Sequence, residues 1–415
     1  MSFSEWKEYK LEDVTINYNS KRVPLSSKER ELRQGKYPYY GAQGVIDFID
    51  KFIFEGQYLL VAEDGANLET RNEDIARLTK NQEQFWVNNH AHILRSNENS
   101  DIRFIKYFLN KSDLSGYITG SAQPKLNKAN LNSIRMVLPP FEEQKAIAHI
   151  LSTLDDKIEV NNEINKTLEN MAQVIFKQWF VDFEFPNEEG EPYKTGGGEM
   201  IKSEIGMIPK GWEVKKSSDI ANVNIGKTPP RKEKECFTLD PDDYKWISIK
   251  DLGNSGAYIF DSSEYLTKES IEKYNVKVVP DNTVVLSFKL TIGRVSITCG
   301  QMTTNEAIAH FNLSNKSKIT TEYLYLYLKG FDYGKLGNTS SIANAVNSKI
   351  IKSMPIIVPD NKTIKTFSEV MESVFSKIKY TIKQSDKLIE IRDSLLPKLM
   401  SGEIRVPLDE EGIVS

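Results

Sequence analysis

The residues of this chain that could hold a metal ion or act as nucleophiles are few and scattered. The candidates are His90, His92, His149, His310, Cys236 and Cys299. A zinc site needs three or four such ligands in close spacing, and only His90 and His92 are near neighbours. On a strand they would share a face, but no carboxylate or cysteine motif completes a ligand set. We therefore predict a surface histidine pair and two buried thiols, and no metal site.

Recognisable catalytic motifs are absent from the sequence. It has neither the Gly-x-x-x-x-Gly-Lys-Ser/Thr phosphate loop nor a Gly-x-Gly-x-x-Gly turn after a strand. Asp281 and Lys289 faintly resemble the carboxylate and lysine of a metal-dependent nuclease, but Ser287 stands where two-metal chemistry requires an acidic residue. The Asn/Asp-Pro-Pro-aromatic motif of adenine methyltransferases is also missing. The sequence predicts a protein that binds and does not catalyse.

The composition is that of an ordinary water-soluble protein with more than one domain. The 415 residues include 39% hydrophobic residues, 54 Lys and Arg, and 58 Asp and Glu, for a formal charge of -4. No apolar run of about 18 residues is present to cross a membrane, and the first residues lack the apolar stretch of a signal peptide. We expect a cytoplasmic protein without membrane contact. The slight acidity by itself argues against a nucleic-acid partner.

The chain repeats one plan twice. Residues 6–24 (WKEYKLEDVTINYNSKRVP) match residues 212–230 (WEVKKSSDIANVNIGKTPP) at a shift of 206, and residues 133–139 match residues 353–359 at a shift of 220. Between these pairs, NNHAHIL from Asn88 resembles TNEAIAH from Thr304. A period this long indicates a domain duplication and not a solenoid.

A long segment without glycine or internal proline follows each copy, at 141–183 and 361–396. Both segments favour helix and carry apolar residues in heptad spacing, the pattern of a coiled-coil seam with a polar middle. The alternative is that each helix lies on the surface of its own domain. Pro397 should stop or kink the second helix. The predicted seam comprises Ile147, Leu151, Leu154, Ile158, Asn161, Asn165, Leu168, Ile175, Phe367, Met371, Val374, Ile378, Thr381, Ser385, Leu388 and Leu395.

Ahead of each helix the sequence is strand-rich, with β-branched and aromatic runs that Gly, Asn and Asp interrupt. This pattern predicts two mixed α+β lobes. A segment rich in Gly, Pro and Glu then reads as a linker. The expected divisions are a first lobe at 1–140, a first helical region at 141–183, a linker at 184–210, a second lobe at 211–360, a second helical region at 361–402 and a tail at 403–415.

Four segments give the chain a resemblance that extends over nearly its whole length. EEQKAIAHILSTLDDKIE at 142–159, WFVDFEFP at 179–186, GMIPKGWEV at 206–214 and LLPKLMSGEIRV at 395–406 resemble the specificity subunit of type I restriction-modification systems. The resemblance implies two target recognition domains, each reading one half of a bipartite DNA sequence. It also implies that the two helices form an antiparallel coiled coil, which sets the distance between the halves, in an internal pseudo-twofold repeat.

The resemblance also implies partners. Two methyltransferase subunits and the restriction or translocase subunits would join this chain on double-stranded DNA and would carry S-adenosylmethionine, ATP and Mg, while this chain would hold no cofactor. Those partners would supply the positive charge that an acidic subunit lacks. The alternative function is a duplicated, non-enzymatic scaffold that binds protein or glycan and uses the coiled coil as a spacer.

Candidate DNA contacts are basic and amide residues, many of them in equivalent loops of the two lobes. Arg and Lys suit guanine, Asn and Gln suit adenine, and all four can hold phosphate. For each residue alone the alternative is a solvated surface charge, but as sets we expect real contacts among them. The candidates are Lys21, Arg22, Arg71, Gln123, Lys125, Asn127, Lys227, Arg231, Lys289, Arg294, Asn344 and Asn347.

Overall fold

The computed structural model describes residues 5–120, 123–314, 316–336 and 346–407. The chain divides into two compact units, one formed by Met1–Glu159 with Asp386–Ser415 and the other by Val160–Ser385. Each unit contains one mixed lobe and parts of two long helices. Among the described residues, no helix combines the length and the apolar content that crossing a lipid bilayer requires.

The first lobe contains two four-stranded sheets and one further strand pair. Its described strands are β1 (Lys7–Lys10), β2 (Thr15–Asn17), β3 (Gln34–Gly41), β4 (Gly44–Ile49), β5 (Phe54–Glu55), β6 (Leu59–Ala62), β7 (Ala76–Leu78), β8 (Gln84–Val87), β9 (Ala91–Ser96) and β10 (Arg135–Leu138). Its described helices are α1 (Leu11–Val14), α2 (Ser27–Glu31), α3 (Asn67–Thr70), α4 (Ile102–Lys111) and α5 (Lys128–Asn132). The sheet orders are β2-β9-β6-β7 and β4-β3-β8-β5, and β1 pairs with β10.

The local sequence explains the central strand of this lobe. All four residues of β6 are buried, which fits a short apolar run that is covered on both faces. Leu59 and Val61 share one apolar cluster with Phe104 and Ile105 of α4. The packing of α4 on this sheet therefore fixes where the chain emerges at the end of β6.

The long helix α6 (Phe141–Phe180) follows the first lobe. The second lobe then carries the described strands β11 (Met200–Ser203), β12 (Gly206–Pro209), β13 (Glu213–Lys216), β14 (Ala221–Ile225), β15 (Phe237–Thr238), β16 (Tyr244–Ile247), β17 (Tyr258–Ile259), β18 (Tyr265–Leu266), β19 (Val284–Ser287), β20 (Val295–Thr298), β21 (Thr303–Thr304), β22 (Ile308–Leu313) and β23 (Pro355–Val358). Its described helices are α7 (Ser217–Ile220), α8 (Ile249–Asn254), α9 (Lys268–Tyr274), α10 (Thr321–Gly330) and α11 (Ser348–Lys352), and the long helix α12 (Asn361–Ser401) comes last.

The two lobes repeat one topology, which confirms the predicted α+β duplication. The sheet order β2-β9-β6 of the first lobe returns as β14-β22-β19 in the second, and the pair β1-β10 returns as β13-β23. In each lobe a parallel strand pair leads into an asparagine turn, β3 with β8 in the first lobe and β16 with β21 in the second.

That asparagine turn corrects the sequence alignment by one residue. The N–H of Asn88 donates to the carbonyl of Tyr40, and its side chain accepts from the N–H of His90. In the second lobe Asn305 makes the same two contacts, with Ile247 and Ala307. Asn88 is therefore the structural equivalent of Asn305, whereas the sequence match places Asn89 there.

The segment 184–210, expected to be a linker, is folded. Strands β11 and β12 form an antiparallel hairpin within it. The ring of Phe185 is buried and stacks on Tyr193 at 4.6 Å and on Trp212 at 5.0 Å between centroids. Aromatic packing therefore joins this segment to the start of the second lobe.

Helices α6 and α12 run antiparallel in both units. In the first unit, Arg392 donates to Asp155 at 2.9 Å. In the second unit, Trp179 near the end of α6 lies 5.7 Å from Phe367 near the start of α12. α12 does not stop at Pro397 but continues to Ser401, because the last turns bury Leu396 and Leu399 in the first unit's core.

The predicted seam residues are all buried or half-buried. The buried members are Ile147, Leu151, Asn161, Asn165, Phe367, Met371, Ile378, Thr381 and Ser385, and the half-buried members are Leu154, Ile158, Leu168, Ile175, Val374, Leu388 and Leu395. Several of them also pack on a lobe. Ile147 and Leu151 belong to the same cluster as Phe104, and Phe367 contacts Tyr323 of α10. The helices therefore pack on their lobes as well as on each other.

The polar middle of the seam forms three cross-helix hydrogen bonds in the second unit. The amide nitrogen of Asn161 donates to Gln384 at 3.0 Å and to the hydroxyl of Ser385 at 3.3 Å. One turn further along α6, Asn165 accepts from the hydroxyl of Thr381. The carbonyl oxygen of Asn161 is buried without a hydrogen-bond partner among the described residues.

Candidate nucleic-acid interface

In the first lobe, four chain segments meet at one end of the sheet that contains β6. The N–H of Tyr18, just after β2, donates to the carbonyl of Ile93, and the N–H of Glu63, just after β6, donates to His90. A fourth segment joins through the N–H of Leu126, which donates to Glu63 at 2.8 Å. We call this region the first sheet end.

Charged side chains are tied together at the first sheet end. The carboxylate of Glu63 accepts from Arg22 at 2.7 Å and lies 3.4 Å from the ammonium group of Lys125. Burial is the largest single influence on Glu63 and opposes its ionisation, but the hydrogen bonds and positive charges around it, led by the hydrogen bond from Arg22, together outweigh burial and hold the pKa of Glu63 below its usual value. Arg22 also donates to the carbonyls of Asn89 and Ala91. Arg22 is therefore held within the lobe, while the side chain of Lys125 is 51% exposed.

The two neighbouring histidines have different surroundings and do not form a pair. His90 is exposed, and its Nδ1 lies 2.6 Å from Asp64. His92 is buried; its Nδ1 accepts from the side chain of Asn19 and its Nε2 donates to the carbonyl of Leu126. Burial lowers the pKa of His92, so the ring is neutral. Within the described ranges, no group of three His, Cys, Asp or Glu residues could hold a metal ion.

Of the other candidates in the first lobe, two have exposed side chains and two make hydrogen bonds within the lobe. Lys21 and Gln123 are exposed, and the Lys21 ammonium lies 5.3 Å from the ring of Tyr18. Asn127 instead caps α5 by accepting from the N–H of Asn130. The guanidinium of Arg71 donates to two carbonyls at the end of α4. These contacts explain Asn127 and Arg71 as structural residues.

In the second lobe three chain segments meet in the corresponding way, in a region that we call the second sheet end. The N–H of Gly226, after β14, donates to Ile308, and the N–H of Phe288, after β19, donates to Ala307. Residue 226 must be glycine because a Cβ atom there would collide with Thr304 and Asn305. The close approach of these backbones places Lys227 and Lys289 at this sheet end, and both are exposed.

In the second lobe, a carboxylate and two aromatic rings surround the guanidinium group of Arg231. Its guanidinium makes two hydrogen bonds of 2.9 Å to Glu264 and lies 4.2 Å and 4.5 Å from the rings of Phe237 and Trp246. Its side chain remains 52% exposed. Stacking and the paired carboxylate fix the orientation of the guanidinium plane.

The first lobe contains an equivalent arginine that sequence reasoning missed. Arg30 pairs with Asp47 at 3.0 Å and lies 5.2 Å from the ring of Tyr39. Tyr39 faces Asp47 across β3 and β4, and in the second lobe the N–H of Trp246 in β16 donates to the carbonyl of Glu264, just before β18. Arg30 is only 17% exposed. No sequence signal pairs Arg30 with Arg231, because the loops that hold them differ in length.

The remaining candidates have contacts within their lobe or lie outside the described ranges. Arg294 donates to the carbonyl of Ile249 at 2.6 Å. Asn347 caps α11 by accepting from two backbone N–H groups. Asn344 lies outside the described residues. The structure thus brings Lys21, Arg22, Gln123 and Lys125 together at one sheet end, and Lys227 and Lys289 together at the other.

Comparison with known proteins agrees with this duplicated architecture. The family described as "Type I restriction modification DNA specificity domain" matches residues 3–170 and 209–391. The specificity subunit of the type I restriction enzyme HindI from Haemophilus influenzae is 25% identical over 97% of this chain and 100% of its own length. The specificity subunit of MjaIX from Methanocaldococcus jannaschii is 31% identical over 71% of this chain and 65% of its own length.

A solved structure has a similar fold. The crystal structure of the type I restriction-modification S subunit from M. genitalium superposes with a TM-score of 0.60 at 15% identity and covers 96% of both chains. The family match spans both copies of the repeat and well over half of the residues. The chain belongs to the family of type I restriction-modification DNA specificity subunits.

Proposed function

We propose that each lobe reads one half of a bipartite DNA target through its sheet end. The observation that supports this proposal is the repetition of the same strand ends, with exposed cationic or amide side chains, in both units. In the first lobe these side chains are Lys21, Gln123 and Lys125, and in the second they are Lys227 and Lys289. Arg231 lies near the second sheet end, because the ring N–H of Trp246, on which Arg231 stacks, donates to the carbonyl of Lys227. Two sheet ends that differ in residue types would read two different half-sites.

The side chains at the two sheet ends suit two tasks, phosphate binding and base reading. Lysines are flexible point charges that hold phosphate oxygens, whereas an oriented guanidinium or amide can address a base edge. Two acidic groups at the same sheet ends, the half-buried Asp64 beside His90 and the exposed Glu306 beside Thr228, can accept a hydrogen bond from the amino group of cytosine. Basic and acidic groups together would give sequence discrimination in addition to phosphate affinity.

In this proposal, catalysis belongs to partner subunits. Two methyltransferase subunits and the restriction or translocase subunits would assemble on this chain, bind S-adenosylmethionine, ATP and Mg, and enclose the duplex. The absence of catalytic sequence motifs supports this division of labour. The partners would also supply the phosphate-neutralising charge that a subunit with a formal charge of -4 cannot supply alone.

The paired helices would set the gap between the two half-sites. Support comes from their antiparallel contacts in each unit and from the polar contacts at Asn161 and Asn165, because a buried polar pair fixes one register of a helical seam. A helix does not compress, so the number of residues in the paired helices would determine the accepted spacing.

A lobe exchange tests the proposal. Residues 1–140 are replaced by the first lobe of another family member, and methylated adenines are mapped across the host genome. We expect one half of the recognised sequence to change and the other half to stay. Exchange of residues 211–360 is the matched control and should change the opposite half. A change in both halves, or in neither, would contradict separate reading by the lobes.

A further inference from the structure

Leu290 has a backbone conformation and an exposure that its residue type does not favour. It lies in the loop between β19 and β20, its side chain is 98% exposed, and its φ is 60°. The N–H of Thr291 donates back to the carbonyl of Lys289 at 2.7 Å. Leu290 is thus the centre of a γ-turn with positive φ, a rare and strained form for a residue with a side chain.

Hydrogen bonds to the buried Ser287 hold the loop around Leu290 in place. Ser287 is fully buried; its hydroxyl donates to the carbonyl of Thr291 at 2.6 Å and accepts from the N–H of Arg294 at 3.1 Å. The N–H of Gly293 donates to the carbonyl of Ser287 at 3.0 Å. Strain of this kind persists only where the surrounding structure imposes it, and it is concentrated at functional positions.

At the position of the first lobe that corresponds to Leu290, the chain has a glycine with positive φ. Ala62 pairs with Ala91 as Ser287 pairs with Ile308, and counting three residues onward equates Gly65 with Leu290. Gly65 has a φ of 113°, and a Cβ atom there would meet nothing within 4 Å. Glycine adopts this conformation without strain. The leucine therefore contributes neither to the turn nor to the core.

We propose that Leu290 is an apolar wedge that inserts between neighbouring base pairs of the half-site read by the second lobe. This inference rests on the proposed function of the lobe. Leucine is among the side chains that partially unstack base steps in this way. Lys289 is next to it in the chain, and Lys227 lies at the same sheet end, so both can hold the flanking phosphates while the rigid turn presents the wedge.

The test uses the complex of the full chain with its methyltransferase subunits. The target is first identified by methylation mapping, and the second half-site by the lobe exchange. Duplexes then carry 2-aminopurine, a base whose fluorescence rises on unstacking, at single positions of that half-site. The methylated adenine is excluded because methyltransferases extrude their own target base. The variants are Leu290→Ala, the conservative Leu290→Met, and Leu239→Ala, which alters another exposed leucine of the same lobe.

We expect a fluorescence rise at one base step with the unaltered chain, with Leu290→Met and with Leu239→Ala. Leu290→Ala should lose this rise and bind the duplex about tenfold more weakly, as expected when the contacts that follow unstacking are lost. The wedge is refuted if no step other than the target adenine brightens, or if Leu290→Ala behaves like the unaltered chain.

Assembly and binding measurements on the same variants distinguish a wedge from a contact with a partner protein. If Leu290→Ala fails to assemble with the methyltransferase subunits, Leu290 is a protein contact and the wedge is wrong. If the unaltered complex does not prefer the mapped duplex over a scrambled one, the proposed function itself fails. Failure of the wedge alone leaves specific binding intact.

Discussion

Replacing Asn161 by leucine should stabilise the contact between the long helices. Asn161 is 0% exposed and its carbonyl oxygen has no partner among the described residues. An unsatisfied buried acceptor costs about 1–3 kcal/mol. Leucine has the same number of non-hydrogen side-chain atoms as asparagine, and burial of its apolar surface contributes about 2 kcal/mol.

The replacement also removes two hydrogen bonds, which reduces the gain. The bonds from Asn161 to Gln384 and Ser385 measure 3.0 Å and 3.3 Å, and each contributes about 1 kcal/mol or less. The balance is a gain of about 1–3 kcal/mol in the free energy of opening. The matched variant Thr381→Val should have the opposite sign, because it takes from Asn165 its hydroxyl donor and costs about 1 kcal/mol.

Hydrogen exchange measured by mass spectrometry is the appropriate assay, since unfolding of a chain with two units is not a single transition. Amides near residue 161 should exchange about tenfold more slowly in Asn161→Leu, the factor that about 1.4 kcal/mol produces. Methylation mapping should at the same time show relaxed choice of the gap between half-sites, because the polar contact no longer excludes shifted registers. Faster exchange with an unchanged, strict gap would refute the reasoning.

Three further predictions concern the spacer, the charges and a buried histidine. Insertion of seven residues in frame near both Asn161 and Thr381 should lengthen the accepted gap between half-sites by about three base pairs. Each helical residue adds about 1.5 Å, and each base pair spans about 3.4 Å. An unchanged gap in the methylation map would mean that the helices do not set it. Lys227→Ala with Lys289→Ala should lower the slope of log binding constant against log salt by about two, whereas Lys277→Ala, another exposed lysine of the same lobe, should leave it unchanged; equal slopes for all three would remove these lysines from the interface. Burial lowers the pKa of His310 in the folded lobe to about 4. Between about pH 6.5 and pH 4 the unfolded chain therefore binds a proton at this histidine and the folded chain does not. The second lobe should lose about 1.4 kcal/mol of stability for each pH unit of this range. His310→Gln should flatten that dependence in hydrogen exchange, and the exposed His149→Gln should not.

The duplication and the two long helices could be predicted because they depend on local and periodic features. Heptad spacing from Ile147 to Ile175 is a property of neighbouring residues, and a helix forms wherever such a stripe can be buried. The matches at Trp6 with Trp212 and at 133–139 with 353–359 likewise needed no knowledge of contacts. Fold class and family therefore followed from the order of residues alone.

The roles of individual polar residues depend on contacts between distant parts of the chain. The fold places Glu63 2.7 Å from Arg22 and the carbonyl of Ile249 2.6 Å from Arg294, and the sequence predicted neither contact. The pairing of Asn88 with Asn305 needed the strand ladders, because a one-residue slip changes the face of every side chain.

The sequence alone determined the repeated plan, the helical seam and the lack of catalytic motifs. Only the tertiary structure decided which cations remain exposed at the two sheet ends, that 184–210 packs through Phe185, and that Leu290 occupies a strained turn. The reason is physical: periodicity reports which surface a segment must bury, whereas a side chain becomes free, paired or strained only when the ladders and the packing around it are complete.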